Sequence, residues 1–295
     1  MNINDILNKK YEVCKNPPKE IEWEIYKTEV MEEYRELLET KGDSEKEFQL
    51  FFEKNPSFLP GALELIGNSS HYPYMDALVS QPEIGIVKNR KPDFLWLAQD
   101  SLNFAPVFIE IEKPNKKMFT IKENPNSEFN QALNQIDEWR SLLDDVDNRK
   151  SFYKCFSVPK EMQEKTFQPQ YLLIYGRRSE YENDNWLRNL RAAKQRENVV
   201  IMSYDRLYPL YDYRQFTSCK VTQGKYEIFY IPPTFRYRAD SVETLVKYEN
   251  FETRIDSMEK TSEDRKKFLH ERYSYWIEKA PELSHGTMII SQEGE

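Results

Sequence analysis

The chain has little glycine, eight residues among 295. Neither of the glycine-rich loops that cradle nucleotide phosphates, GxGxxG and GxxxxGK[ST], occurs, so we do not expect a nucleotide cofactor. Cysteine is scarce as well. The three cysteines, Cys14, Cys155 and Cys219, are scattered and lack CxxC spacing, which argues against a disulfide framework and a structural zinc site. This cysteine usage fits a reducing compartment.

Long apolar runs are also missing. No run of about 18 apolar residues occurs, so we expect no membrane span. The first residues lack the basic and apolar regions of a secretion signal, and we therefore expect a cytoplasmic protein. The histidines show no metal-ligand spacing, and neither a GxSxG elbow nor a Cys/His pairing is present, which disfavours a nucleophilic hydrolase.

A net positive charge is absent too. The formal net charge is -8, so nucleic acid could be bound only through a local patch or through a metal ion. Basic residues nevertheless gather before Asp93, after Glu112 and after a later apolar run. They are Lys88, Arg90, Lys91, Lys113, Lys116, Lys117 and Lys122, followed by Arg177 and Arg178. Single lysines usually mark solvated surface, but groups that flank a site are what a phosphate-binding groove requires.

The segment 92–114 carries acids within an apolar strand pattern. Side chains alternate along a strand, so Glu110 and Glu112 should project from the same face of the predicted strand 107–112. Two buried, ionised acids are costly unless a positive group shares the site, most simply a divalent metal bound by oxygen ligands. Asp93, which begins the preceding apolar strand, would be a third ligand.

Blander interpretations exist for each of these acids. Asp93 alone could be a turn or cap carboxylate. Glu110 and Glu112 could lie on an edge strand and face water. The residues between these acids are isoleucine, phenylalanine and valine. Because acids placed there for solubility would not lie among apolar residues, the metal site is favoured.

The remaining pattern predicts a mixed α/β protein. Helices are expected over 19–40, 45–54, 127–143 and 186–196, with a helical, charge-rich segment over 242–279. Strands are expected over 76–79, 85–87, 94–97, 107–112, 171–175, 199–203 and 226–231. The strand, helix, strand order from 107 to 203 is typical of a sheet with parallel members.

These acids resemble the metal site of the PD-(D/E)xK nuclease superfamily, in which an Asp and an acid-x-Lys pair on adjacent strands hold Mg²⁺. More of the chain resembles the nuclease domain of the Shedu anti-phage defence proteins. The segments that carry this resemblance are 45–56 (EKEFQLFFEKNP), 91–94 (KPDF), 109–114 (IEIEKP) with 118–120 (MFT), 131–139 (QALNQIDEW) and 203–207 (SYDRL).

The resemblance implies that Asp93 and Glu110 are metal ligands for Mg²⁺ or Mn²⁺. Glu112 departs from the pattern, since it stands where many superfamily members have the motif lysine. It could be a further metal ligand or the general base, with Lys113 or a second metal ion supplying positive charge. Lys113 would point to the opposite strand face unless a bulge follows Glu112. The choice between Glu112 and Lys113 stays open.

Two helical residues complete the predicted site. Gln135 matches a superfamily position at which Gln or Lys orients the water or a phosphate, although it could merely cap local backbone. Glu47 resembles an acid that completes the metal shell from the first core helix. Ser44 and Glu47 also form the pattern of a capping box, which explains Glu47 equally well.

The fold implied is a PD-(D/E)xK restriction-endonuclease-like core, with a mixed central sheet flanked by helices, over 43–210. An N-terminal helical segment, 1–42, would precede it and a C-terminal α+β extension, 211–295, would follow. The expected function is metal-dependent DNA cleavage in anti-phage defence, by a homo-oligomer that a phage component could trigger. The alternative is a catalytically weak scaffold that oligomerises or binds DNA.

Overall fold

A mixed sheet of seven strands forms the centre of the molecule, whose computed structural model describes residues 11–64, 71–84, 91–283 and 295. The described residues form nine strands, of which seven belong to this sheet. They are β1 (Ala77–Ser80), β2 (Phe94–Trp96), β3 (Asn103–Phe104), β4 (Val107–Ile111), β5 (Thr166–Phe167), β6 (Gln170–Ile174), β7 (Val199–Met202), β8 (Thr217–Thr222) and β9 (Lys225–Tyr230). The sheet order is β7-β6-β4-β2-β1-β8-β9, and β3 pairs with β5 in a separate ribbon. The predicted mixed α/β architecture is confirmed.

Helices cover both faces of this sheet. They are α1 (Trp23–Thr40), α2 (Glu45–Lys54), α3 (Ser127–Asp144), α4 (Val146–Cys155), α5 (Lys160–Gln163), α6 (Asn185–Ala192), α7 (Val242–Leu245), α8 (Phe251–Ile255) and α9 (Glu263–Leu283). The predicted helical segment 242–279 is therefore three helices, and α4, α5, β3, β5 and β8 were not predicted. The predicted strand 85–87 lies outside the described residues.

Strand β4 is paired along both edges. It runs parallel to β6, which runs parallel to β7, and antiparallel to β2. The crossovers through α3 and α6 thus join parallel strands, as the sequence predicts. The alternative in which Glu110 and Glu112 lie on an exposed edge strand is wrong, because β4 is interior to the sheet.

The two faces of β4 contribute to different hydrophobic cores. Phe108 packs with residues of α3 and α4 on one face. Val107, Ile109 and Ile111 pack with residues of α1 and α2 on the other face. This alternation is the one that the sequence predicts for a strand buried on both faces.

Helix α2 lies against the second core through its aromatic residues. Phe48 and Phe52 are fully buried, and Phe48 meets the ring of Tyr204 edge to face at 4.9 Å. Ser44 is the N-cap residue, but its side chain makes no capping hydrogen bond, so the predicted capping box is wrong. Packing of the apolar face, rather than a cap, fixes the start of this helix near the sheet.

The region predicted as a C-terminal extension adds strands to the central sheet. β8 runs parallel to β1, and β9 pairs antiparallel with β8. All three cysteines are free thiols. Among the helices that the structure describes, none has the length and apolar character needed to cross a membrane.

Candidate functional site

Asp93 and Glu110 lie side by side at the ends of β2 and β4. Because β2 and β4 are antiparallel and Phe94 pairs with Ile109, Asp93 is brought level with the end of β4. Its Oδ2 accepts a hydrogen bond from the backbone N–H of Ile111 at 2.8 Å. The two carboxyl groups are close enough for the charge of Asp93 to raise the pKa of Glu110. The two predicted metal ligands therefore converge.

Gln135 reaches Glu110 from helix α3. Its Nε2 donates to Glu110 Oε1 at 2.6 Å. The second oxygen, Glu110 Oε2, is buried and has no hydrogen-bond partner among the described residues. A buried carboxylate oxygen without a donor is costly unless a proton or a cation occupies it.

Burial and mutual repulsion set the protonation of this pair. Burial raises the pKa of Asp93 to about 7; the Ile111 N–H opposes this rise and the negative charge of Glu45 adds to it. Burial raises the pKa of Glu110 well above its usual value, and the charge of Asp93 raises it further. Without a cation the pair therefore holds a proton near neutral pH.

Glu112 makes an ion pair with Lys116. Lys116 Nζ lies 2.5 Å from Glu112 Oε2, and only 20% of the lysine side chain and 14% of the glutamate side chain are exposed. Partial burial acts to lower the pKa of Lys116, but the hydrogen bond and charge of Glu112 outweigh it, so the pKa is raised. Lys116 is thus a charged ammonium group held against Glu112. The sequence prediction missed this role.

A fourth acid, Glu45, completes an acidic cluster with Asp93, Glu110 and Glu112. It begins α2, and burial together with the charge of Glu112 raises its pKa, against the opposing charges of Lys116 and Lys113. Glu47, the residue predicted from the resemblance, is exposed on α2. Helical spacing contained part of the signal. Glu45 precedes the buried Phe48 and Phe52 by three and seven residues, whereas Glu47 precedes the exposed Leu50 by three and the buried Phe51 by four.

Lys113 lies beside the site, partly exposed. Strand β4 ends at Ile111, and the Glu112 N–H still donates to Ile174 O at 2.9 Å. The chain then turns, since the N–H of Lys116 donates to Lys113 O at 3.0 Å. The positive charge of Lys113 acts on Glu45, although less strongly than that of Lys116.

The basic residues that flank the segment differ in their partners. Lys91 pairs with Glu83 at 2.7 Å, and Arg177 pairs with Asp205 at 2.7 Å. Lys117 and Lys122 are exposed after the site. Lys88 and Arg90 lie outside the described residues.

The acids do not form a closed cage. Within residues 11–64, 71–84, 91–283 and 295, no group of three or more His, Cys, Asp or Glu side chains is arranged to hold a metal ion. Mg²⁺ does not require such a cage, because it often binds through one or two carboxylates and keeps waters or substrate oxygens as its other ligands. Asp93 and Glu110, with the orphan oxygen Oε2, fit that mode of binding.

The fold and the cluster together define a mixed α/β protein with an acidic site on a central strand. The family model described as Shedu protein SduA, C-terminal, matches residues 42–208. The chain therefore belongs to the Shedu family, and this membership indicates a role in anti-phage defence. The match confirms the predicted resemblance to the Shedu proteins, and its range contains every predicted site residue. No curated protein matches the chain.

Proposed function

We propose that this chain is a Mg²⁺-dependent or Mn²⁺-dependent DNA endonuclease with a PD-(D/E)xK core, acting in anti-phage defence. The observation that carries the proposal is the neighbouring pair Asp93 and Glu110, in which the buried oxygen Oε2 of Glu110 has no donor within the part of the chain that the structure describes. Membership of the Shedu family supports the defence role. The reaction would add water across a phosphodiester and break one P–O bond of the backbone.

Each residue of the cluster has a proposed part. Asp93 and Glu110 would hold the cation, and Gln135 would keep the Glu110 carboxylate in the orientation that the hydrogen bond fixes. A bound divalent ion acidifies its water and polarises the phosphate. Glu112 would accept a proton from the attacking water or join the cation's ligands after separating from Lys116.

DNA is the proposed partner despite the net negative charge of the chain. The exposed Lys117 and Lys122 follow the site directly and could contact backbone phosphates. Homo-oligomerisation and activation by a phage component are further parts of the proposal, and the cytoplasm is the compartment in which this activity would act.

Cleavage of supercoiled plasmid tests the proposal. The intact chain should nick or linearise the plasmid with Mg²⁺ or Mn²⁺ and stop when EDTA is added. Asp93→Asn and Glu110→Gln should each reduce the rate at least about 100-fold, because each removes a charge that binds the cation. Asp147→Asn, on an exposed acid of α4, is the matched control. Equal cutting by all four proteins would refute the assignment.

The scaffold alternative has one observation in its favour, the ion pair that engages Glu112 at the position of the motif lysine. It predicts DNA binding or oligomerisation with no measurable Mn²⁺ affinity. Calorimetric titration of the intact chain with Mn²⁺, alongside Glu110→Gln, separates the two functions. Binding that Glu110→Gln abolishes supports the nuclease, and its absence supports the scaffold.

A further inference from the structure

The chain has no positively charged side chain at the position where the superfamily pattern has its motif lysine. The residue there is Glu112, which cannot offset the negative charge that develops on a phosphate during hydrolysis. An ammonium group is nevertheless present, because Lys116 Nζ lies 2.5 Å from Glu112 Oε2. Its position, four residues after Glu112, depends on the turn that follows β4 and is not apparent from the motif.

The backbone of Lys116 is held from two sides. Asn115, its neighbour, donates its N–H to Gly42 O at 3.0 Å, before α2. On the other side Gly176, in the left-handed region at φ +64°, lies so close that a Cβ there would be 2.8 Å from Lys116 O. The loop is therefore fixed between the start of α2 and the end of β6. These contacts fix the backbone of Lys116, and the ion pair with Glu112 holds its side chain.

Three acidic groups face the ammonium. Glu112 is the closest, Glu128 Oε1 of α3 lies 3.8 Å away, and Glu45 of α2 acts on Lys116 through its charge. Glu112 and Glu45 also act on Asp93 through their charges, so these two acids connect the lysine with the carboxylates proposed to hold the cation. Lys117, one residue later, is exposed.

We propose that Lys116 supplies the positive charge of the motif lysine, from the turn after β4 instead of from the strand. This inference rests on the proposed nuclease function. Lys116 would neutralise charge on the scissile phosphate, and its ion pair would keep Glu112 from binding the cation in the absence of DNA. Lys113 would then be a groove residue with a lesser effect on the rate.

Two readouts of Lys116→Met should move in opposite directions. The plasmid cleavage rate should fall about 100-fold, as expected when one preorganised charge on the transition state is lost. The affinity for Mn²⁺, measured by calorimetry without DNA, should rise about threefold to tenfold, because a repelling ammonium is gone and Glu112 is released. A merely structural lysine would lower both. Lys160→Met, with the same change on an exposed lysine of α5, should alter neither.

A charge-relocation variant provides the rescue. The double variant Glu112→Lys/Lys116→Met restores an ammonium at the strand position of the superfamily motif. It should recover at least about a tenth of the starting cleavage rate, whereas Lys113→Met should lose less than about tenfold. Thermal melting by circular dichroism checks that each variant is folded, and only folded variants are compared.

The outcomes separate this inference from the proposed function. If the intact chain cuts plasmid and folded Lys116→Met cuts equally well, the lysine assignment is overturned and the nuclease stands. If the intact chain does not cut, the nuclease proposal fails, and this inference fails with it. Unchanged or weaker Mn²⁺ binding by folded Lys116→Met overturns the inference, whatever the rate of cleavage.

Discussion

At the scale of single residues, the neighbouring carboxyl groups of Asp93 and Glu110 destabilise the fold when both are ionised. A carboxyl group whose pKa is raised in the folded state stabilises the fold below its unfolded pKa, near 4, and that contribution is lost as the pH rises through the folded value. For Asp93 that value is about 7, so the window of loss runs from about pH 4 to 7. The metal-free protein should therefore be more stable at pH 5 than at pH 8.

The substitution Glu110→Gln should relieve this destabilisation. Its amide can donate to Asp93 and still accept from Gln135, so we expect the free energy of unfolding at pH 8 to rise by about 1–3 kcal/mol, with a smaller gain at pH 5. Urea unfolding in EDTA at both pH values measures the change. Asp147→Asn removes an exposed ion pair and a first-turn charge, so it should lower both values by less than about 1 kcal/mol. A Glu110→Gln protein less stable than the parent at pH 8 would contradict the repulsion between the two carboxylates.

The two acids of α2 should differ in their effect on metal binding. Glu45→Gln removes a charge that acts on Asp93 and Glu110, so Mn²⁺ affinity should fall about threefold to tenfold. Glu47→Gln removes an exposed charge and should change the affinity less than twofold. Calorimetric titration of both variants decides between them, and a larger loss for Glu47→Gln would restore the residue predicted from the sequence.

Gln135 should act through Glu110. Gln135→Leu removes the 2.6 Å hydrogen bond to Oε1, and loss of a partner that orients a metal ligand typically weakens metal binding tenfold to 100-fold. Gln131→Leu, on an exposed position one turn earlier in α3, is the matched control. Equal Mn²⁺ affinities in the two variants would show that the hydrogen bond has no part in binding.

At the scale of elements, the loop after β4 depends on two glycines of unequal tolerance. Gly176→Ala places a Cβ at positive φ against the backbone carbonyl of Lys116, so it should cost about 1–3 kcal/mol of unfolding free energy. Gly42→Ala meets only the side chain of Asn115, which can rotate away, and should cost less. Thermal melting of both variants measures the two losses of stability. A greater loss for Gly42→Ala than for Gly176→Ala would contradict this prediction.

The sequence pattern predicted those elements in which buried and exposed residues alternate with a regular period. Strand β4 and helix α2 show period-2 and period-3.6 patterns over their whole length, and the structure places them within one residue of the predicted bounds. Strand β8 has exposed Lys220 and Thr222 at one end and no clear alternation, so its pairing with β1 is set by distant contacts. Lys116 escaped prediction for the same reason, because Gly42 and Gly176 position it from remote parts of the chain.

At the scale of the whole molecule, the sheet does not end at the predicted boundary near residue 210. Strand β8 covers the edge of β1 and buries Leu78 and Val79 with the rest of the sheet. A fragment that ends at Leu210 would expose that edge, and exposed strand edges promote aggregation. We expect the fragment to be insoluble or to melt without cooperativity, as measured by light scattering and circular dichroism. A cooperative melt like that of the full chain would support the predicted domain boundary.

The interior position of β4 makes its amide protons reporters of global opening. Since both edges of the strand are paired and both faces are packed, deuterium can enter there mainly when the entire chain unfolds. A ligand bound at its carboxyl end would therefore slow isotope exchange along the full strand, including residues far from any direct contact. Mass-spectrometric exchange of a peptide spanning 107–111 could thus detect occupancy of the site in a protein that never turns over a substrate.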